Sequence, residues 1–194
     1  MIKINNREEY LQEVKKLINP NPICVEIGVF NGDFSTEIYD KLNPSKLYLI
    51  DPFNTMTDPI TKLDYYPGMN HGTVYSNESC LNTVREKLKE PISENKVIID
   101  RNLSTDALIN YEDDFFDFIY IDACHLYESV LWDMENYFPK LKNGGLMGGH
   151  DYFNCPSFGV IKAVDHFCEK YGYEIIVLVG ESQSGDWLLT PKKI

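Results

Sequence analysis

Two short apolar runs in the second half of the chain each lead into an aspartate with an imidazole nearby. Phe116-Asp117-Phe118-Ile119-Tyr120-Ile121 runs into Asp122, and His125 follows three residues later. Gly144-Gly145-Leu146-Met147-Gly148-Gly149 runs into His150 and Asp151. An imidazole with an ordinary pKa of about 6.5 suits general-base work, so His125 is the candidate base. Asp122 and Asp151 are hard oxygen donors, fit for magnesium or a similar divalent ion. A hydroxyl acceptor needs one of these two aids, because its own pKa is high. A lesser alternative makes both aspartates strand-end caps for the segments that follow them, and His150 reads as a supporting residue.

A second constellation lies near the start. Val25-Glu26-Ile27-Gly28-Val29-Phe30-Asn31-Gly32 joins an apolar run to a helical pattern. Gly28 and Gly32 permit a tight turn and a close-lying ligand. Glu26 puts a carboxylate inside an apolar strand, which is costly without a polar partner. That carboxylate repels a pyrophosphate and suits a cationic amino-acid headgroup or a set of hydroxyls. The dinucleotide fingerprint fails, because Phe30 stands at its second glycine. Asp51 ends the next apolar run, where an acid can accept from ribose hydroxyls; as Asp51-Pro52 it can equally begin a turn.

These residues need a frame, and apolar periodicity supplies one. Helices are expected over 6–18, 33–42, 77–89, 103–110, 127–141 and 158–170. Strands are expected over 23–27, 47–50, 97–99, 116–121 and 144–147, the first ending at Gly28, the second at Asp51-Pro52 and the last introduced by Gly144-Gly145. The last two strands, 174–179 and 187–190, are too close for a parallel crossover and must pair antiparallel if they touch. The expected fold class is α/β: a Rossmann-like, mostly parallel sheet, helices on both faces, and a C-terminal antiparallel hairpin. Segment 52–76 has no clean period; its Tyr65, Tyr66, His71 and Tyr75 suit a lid over an acceptor or simply a surface loop.

The chain has 194 residues, enough for one domain with a real core. Thirty acidic against eighteen basic residues give a net charge of −12, which disfavours nucleic acid and anionic membranes as partners. Five cysteines without C-x-x-C spacing suggest reduced thiols and a cytoplasmic setting. Neither a signal-peptide profile nor a membrane-length apolar run is visible, while self-association stays open.

Glu26-x-Gly28-x-x-x-Gly32, Asp51 and the Asp122 strand together resemble the class I S-adenosylmethionine-dependent methyltransferases. Residues 116–125 through 144–152 are similar to a small-methyltransferase subgroup found beside sugar and natural-product genes. The resemblance spans about residues 23–190 and implies the same fold. It implies that Glu26, Gly28, Val29, Phe30, Gly32 and Asp122 line the cofactor, with Asp51 on the ribose and Ser104 beside the adenine. It also implies that His125 is the base in O-methylation of a small sugar-like acceptor. Asp122 and Asp151 then bind a divalent ion or orient the acceptor, although His150-Asp151 replaces the acidic pair usual there. Two rivals remain: a cofactor-binding protein without transfer activity, and a nicotinamide-dependent enzyme, which Phe30 and the hairpin disfavour.

Overall fold

A computed structural model describes residues 2–4, 6–54, 56–57, 60, 64–65, 77–179 and 185–191. The chain runs β1 (Ile2–Ile4), α1 (Arg7–Leu17), β2 (Ile23–Ile27), α2 (Asp33–Leu42) and β3 (Lys46–Ile50). A two-stranded pair follows, β4 (Met56–Thr57) with β5 (Asp64–Tyr65), then α3 (Asn77–Lys87), α4 (Lys89–Ser93) and β6 (Val97–Asp100). The remainder is α5 (Ser104–Ala107), β7 (Phe116–Ile121), α6 (Tyr127–Tyr137), β8 (Leu141–Gly149), α7 (Val160–Tyr171), β9 (Tyr173–Val179) and β10 (Trp187–Pro191).

Eight strands form one sheet in the order β1-β9-β10-β8-β7-β2-β3-β6. β10 is antiparallel to both β8 and β9, and the other pairings are parallel, so the expected reversed strand and terminal hairpin are present. From β2 the chain steps outward to β3 and β6 before returning to β7 on the other side. Strand order therefore reverses between β2 and β7, which puts a ligand crevice at their carboxyl ends. That is the rim where Gly28, Asp122 and Asp151 lie.

Why these segments fold so is visible in their side chains. β7 is buried along its whole length, as a central parallel strand covered on both faces must be. One face carries Phe118 and Tyr120 against α1, α2 and α3; the other carries Phe116, Ile119 and Ile121 against α6 and α7. α1 begins at Asn6, whose side chain accepts from the Glu9 amide at 2.9 Å, and it buries Tyr10, Leu11 and Val14. α7 ends at Gly172 in the left-handed conformation.

The structure departs from expectation at several places, among them the following. α6 stops at Tyr137, not Leu141, because Phe138-Pro139-Lys140 forms a 3-10 turn. β8 therefore starts early, at Leu141, and its register against β7 shifts between Phe116 and Phe118. β1 is an added edge strand, too short to show a period. Segment 52–76 lies mostly outside the described residues, including Tyr66, His71 and Tyr75, so the lid expectation falls there. No disulfide joins the five cysteines. No helix among the described residues is long and apolar enough to cross a membrane.

Candidate active site

The turn after β2 is held by one carboxylate. Asp51 Oδ2 accepts from the amides of Val29 (2.9 Å) and Phe30 (3.1 Å), and its Oδ1 accepts from Phe53 (2.7 Å). Phe30 and Phe53 both have positive φ, 51° and 45°. Bulky residues rarely adopt that conformation, so Asp51 fixes two strained positions at the rim. Three of its roughly four acceptor positions are thereby taken. Gly28, at φ 87°, lies so close to the end of β7 that an added Cβ would stand 2.1 Å from the Asp122 carbonyl oxygen. This close approach joins the turn to Asp122, whose amide donates to the Ile27 carbonyl at 2.8 Å.

Glu26 is 2 % exposed, and its Oε2 accepts from Ser35 Oγ. Burial pushes its carboxyl well above the ordinary range, outweighing the Ser35 hydrogen bond, so the group holds its proton. Glu26 thus contributes a neutral acid beneath the turn. Gly32 caps α2 without a side-chain hydrogen bond, leaving that helix start open.

At the neighbouring strand ends, the paired aspartates and histidines do meet. His125 Nε2 lies 2.9 Å from Asp151 Oδ2 and 3.7 Å from Asp122 Oδ1. His150 Nδ1 lies 3.3 Å from Asp151 Oδ1 and 3.5 Å from Asp122 Oδ1. Burial alone would lower both imidazoles, yet the hydrogen bonds and charges of the two aspartates win. His125 is pushed up to about 9 and His150 to about 10. Burial likewise opposes ionisation of the aspartates, but the same imidazoles hold both carboxyls below the ordinary range. Asp151 sits at φ 61°, a strained backbone that aims its carboxylate between the two rings. His150 Nε2 is buried without a hydrogen-bond partner among the described residues.

Ligand atoms from Asp122, His125 and Asp151 lie within 4.8 Å of one another, a spread that a divalent ion can bridge. The donor set fits such an ion in kind, with two hard oxygens and one imidazole. It is also self-satisfied, since His125 and Asp151 already pair directly.

Sequence reasoning missed two residues here. Arg7 Nη2 is 3.7 Å from Asp122 Oδ2, and Arg7 Nε donates to Asp186 Oδ1 at 3.1 Å. Asp186 is fully buried and also accepts from the Tyr120 hydroxyl. Nothing local marks either residue, because each reaches the site only through the sheet order. Ser104 opens α5 beyond β6, with its carbonyl accepting from the Tyr137 hydroxyl at 2.9 Å. Val29 is buried, while Phe30 remains exposed at the turn.

A groove of about 700 Å³ adjoins the cluster, lined among others by Tyr127, Phe153, Phe158, Lys162 and His166. The Phe158 ring packs against His125 with centroids 4.5 Å apart, so the groove's wall is also the wall of the imidazole.

A family model described as a methyltransferase domain matches residues 25–152. No curated protein matches the sequence. Among solved structures, a protein of Corynebacterium glutamicum is similar with TM-score 0.66 and 11 % identity, over 97 % of this chain and 82 % of that one. A Streptococcus mutans protein described as a methyltransferase, in complex with SAH, has TM-score 0.65 and 15 % identity over 97 % and 98 %. The tRNA methyltransferase TrmK of Bacillus subtilis has TM-score 0.57 and 14 % identity over 97 % and 66 %.

Proposed function

From the premise that the chain belongs to the methyltransferase-domain family, we propose that it moves a methyl group from S-adenosylmethionine to a hydroxyl of a small, sugar-like molecule. The observation that carries the reading is the 2.9 Å pairing of His125 with Asp151, on the same rim as the Gly28 turn. S-adenosylmethionine, when bound, supplies a methyl made electrophilic by its sulfonium. The residues present fit that group. Asp51 and Asp122 offer anionic oxygens to a sulfonium and to hydroxyls, and Glu26 lines the strand below. Gly28, Val29, Phe30 and Gly32 would hold the cofactor, with Ser104 beside its adenine.

His125 takes the acceptor's proton through Nδ1, while Asp122 and Asp151 face its Nε2, orient the ring and stabilise its charge once it is protonated. Such positioned proton transfer typically contributes about 10²–10⁴-fold. At neutral pH the imidazole already holds a proton, because its value is pushed up to about 9. The base form therefore grows as the pH rises toward that value, and turnover rises with it. The groove walled by Phe158 admits the acceptor, whose ring faces can lie on Phe153 and Phe158.

The compact Asp122, His125 and Asp151 set favours one variant of this reading. There these residues would hold a divalent ion, which would acidify the hydroxyl. A nicotinamide enzyme fits less well, because β10 is reversed and Phe30 occupies the turn.

The test is a methyl-transfer screen over hydroxylated acceptors at neutral and alkaline pH, with EDTA and with added magnesium. Transfer to a hydroxyl supports the reading, and its loss in EDTA selects the metal variant. Binding of SAH with no transfer to any acceptor would leave a cofactor-binding protein, and binding of NAD alone would overturn the assignment.

A further inference from the structure

Arg7 is a half-buried cation in a site built mostly from acids. Its guanidinium lies 4.5 Å over the Phe34 ring, in the first turn of α2 just past Gly32. Its Nη2 lies 3.7 Å from Asp122 Oδ2 at the end of β7. The group therefore stands between the turn and the aspartate–histidine cluster, at the reversal of strand order.

Its donors are unevenly used. Nε donates to Asp186 at 3.1 and 3.3 Å, and Nη2 donates to the Tyr120 hydroxyl at 3.2 Å. Nη1 has no hydrogen bond among the described residues, and the side chain is 25 % exposed. Asp186 and Tyr120 hold the planar group still, leaving one edge of its fork to a ligand. A cation so oriented selects an anion, and a guanidinium fork matches a carboxylate in particular.

We propose that Arg7 binds the α-carboxylate of S-adenosylmethionine and of its product. The inference rests on the cofactor reading above. That cofactor carries one negative group, which Asp51, Asp122, Asp151 and Asp186 would otherwise repel. The two nearby imidazoles, His125 and His150, are engaged by Asp122 and Asp151. Arg7 is thus a binding residue contributed by α1, outside residues 25–152.

The test is calorimetric binding of two ligands, S-adenosylhomocysteine and its decarboxylated analogue, which keeps the amine and loses the carboxylate. Arg7→Met is expected to weaken S-adenosylhomocysteine at least tenfold and the analogue less than twofold. Arg7→Lys is expected to recover most of the loss. Because Arg7→Met strands buried Asp186, the double variant Arg7→Met/Asp186→Asn removes the pair together, and it should show the same ligand selectivity. Equal weakening of both ligands, or no weakening of either, in a variant whose melting curve stays cooperative overturns the proposal. If the parent chain binds neither ligand, the cofactor reading fails and this inference with it.

Discussion

Glu26 shows how a residue read one way in sequence acts another way once folded. Its type and position suggested an anion in the strand, whereas burial keeps it protonated beside Ser35. The folded chain holds this proton at pH values where the unfolded chain has released it. Stability from the group is therefore full below the ordinary glutamate value of about 4.3 and declines as the pH rises above it. Glu26→Gln keeps an oxygen for Ser35 and removes the titration. Its melting temperature relative to the parent should rise between about pH 4 and about pH 8, and a pH-independent difference would contradict the assignment. Asp122, His125 and Asp151 were legible because each follows an apolar run, and adjacent parallel strands bring such ends together. Arg7, Tyr120 and Asp186 were not legible as a set. They are 113 and 179 positions apart along the chain, and only the finished sheet joins them.

At the scale of elements, glycines set how closely the strands approach. Gly148 and Gly149 leave room on β8 for the Tyr10 hydroxyl and the Trp187 ring, which a Cβ would meet at 2.0 and 2.5 Å. Tyr10 then donates to the Trp187 carbonyl, tying α1 to β10 across the sheet. Gly28 does the same work at the rim, so Gly28→Ala forces either the turn or Asp122 to move. The left-handed backbone alone costs roughly 1–2 kcal/mol, or about 2–8 °C in melting temperature for a domain this size. Asp122 displacement should also weaken S-adenosylhomocysteine binding, measured by calorimetry; unchanged affinity would separate the turn from the cofactor. The order of helices and strands was readable from period and turn residues. The end of α6 and the start of β8 were not, because apolar residues at 134, 137, 138 and 141 satisfy either element until the Pro139 turn decides.

Over the whole molecule, the sheet order makes the site from distant parts of the chain. α1 supplies Arg7, the parallel strands supply the turn and the cluster, and the loop before β10 supplies Asp186. The terminal hairpin is thus also what locks Arg7 in place, a link that its sequence spacing did not reveal. Acidic residues at the rim are a small part of the thirty behind the −12 charge. The protein should consequently leave transfer RNA unshifted in a gel at about 50 mM salt, where phosphate contacts are strong; a salt-dependent shift would contradict a small-molecule acceptor. On the proposed function the rim divides into a cofactor half and a chemical half, with His125 in the second. Single-turnover methyl transfer by His125→Ala, saturated with S-adenosylmethionine and an acceptor from the screen, tests it most directly. The expected result is a fall of about 10²-fold or more. Transfer at the parent rate would contradict it.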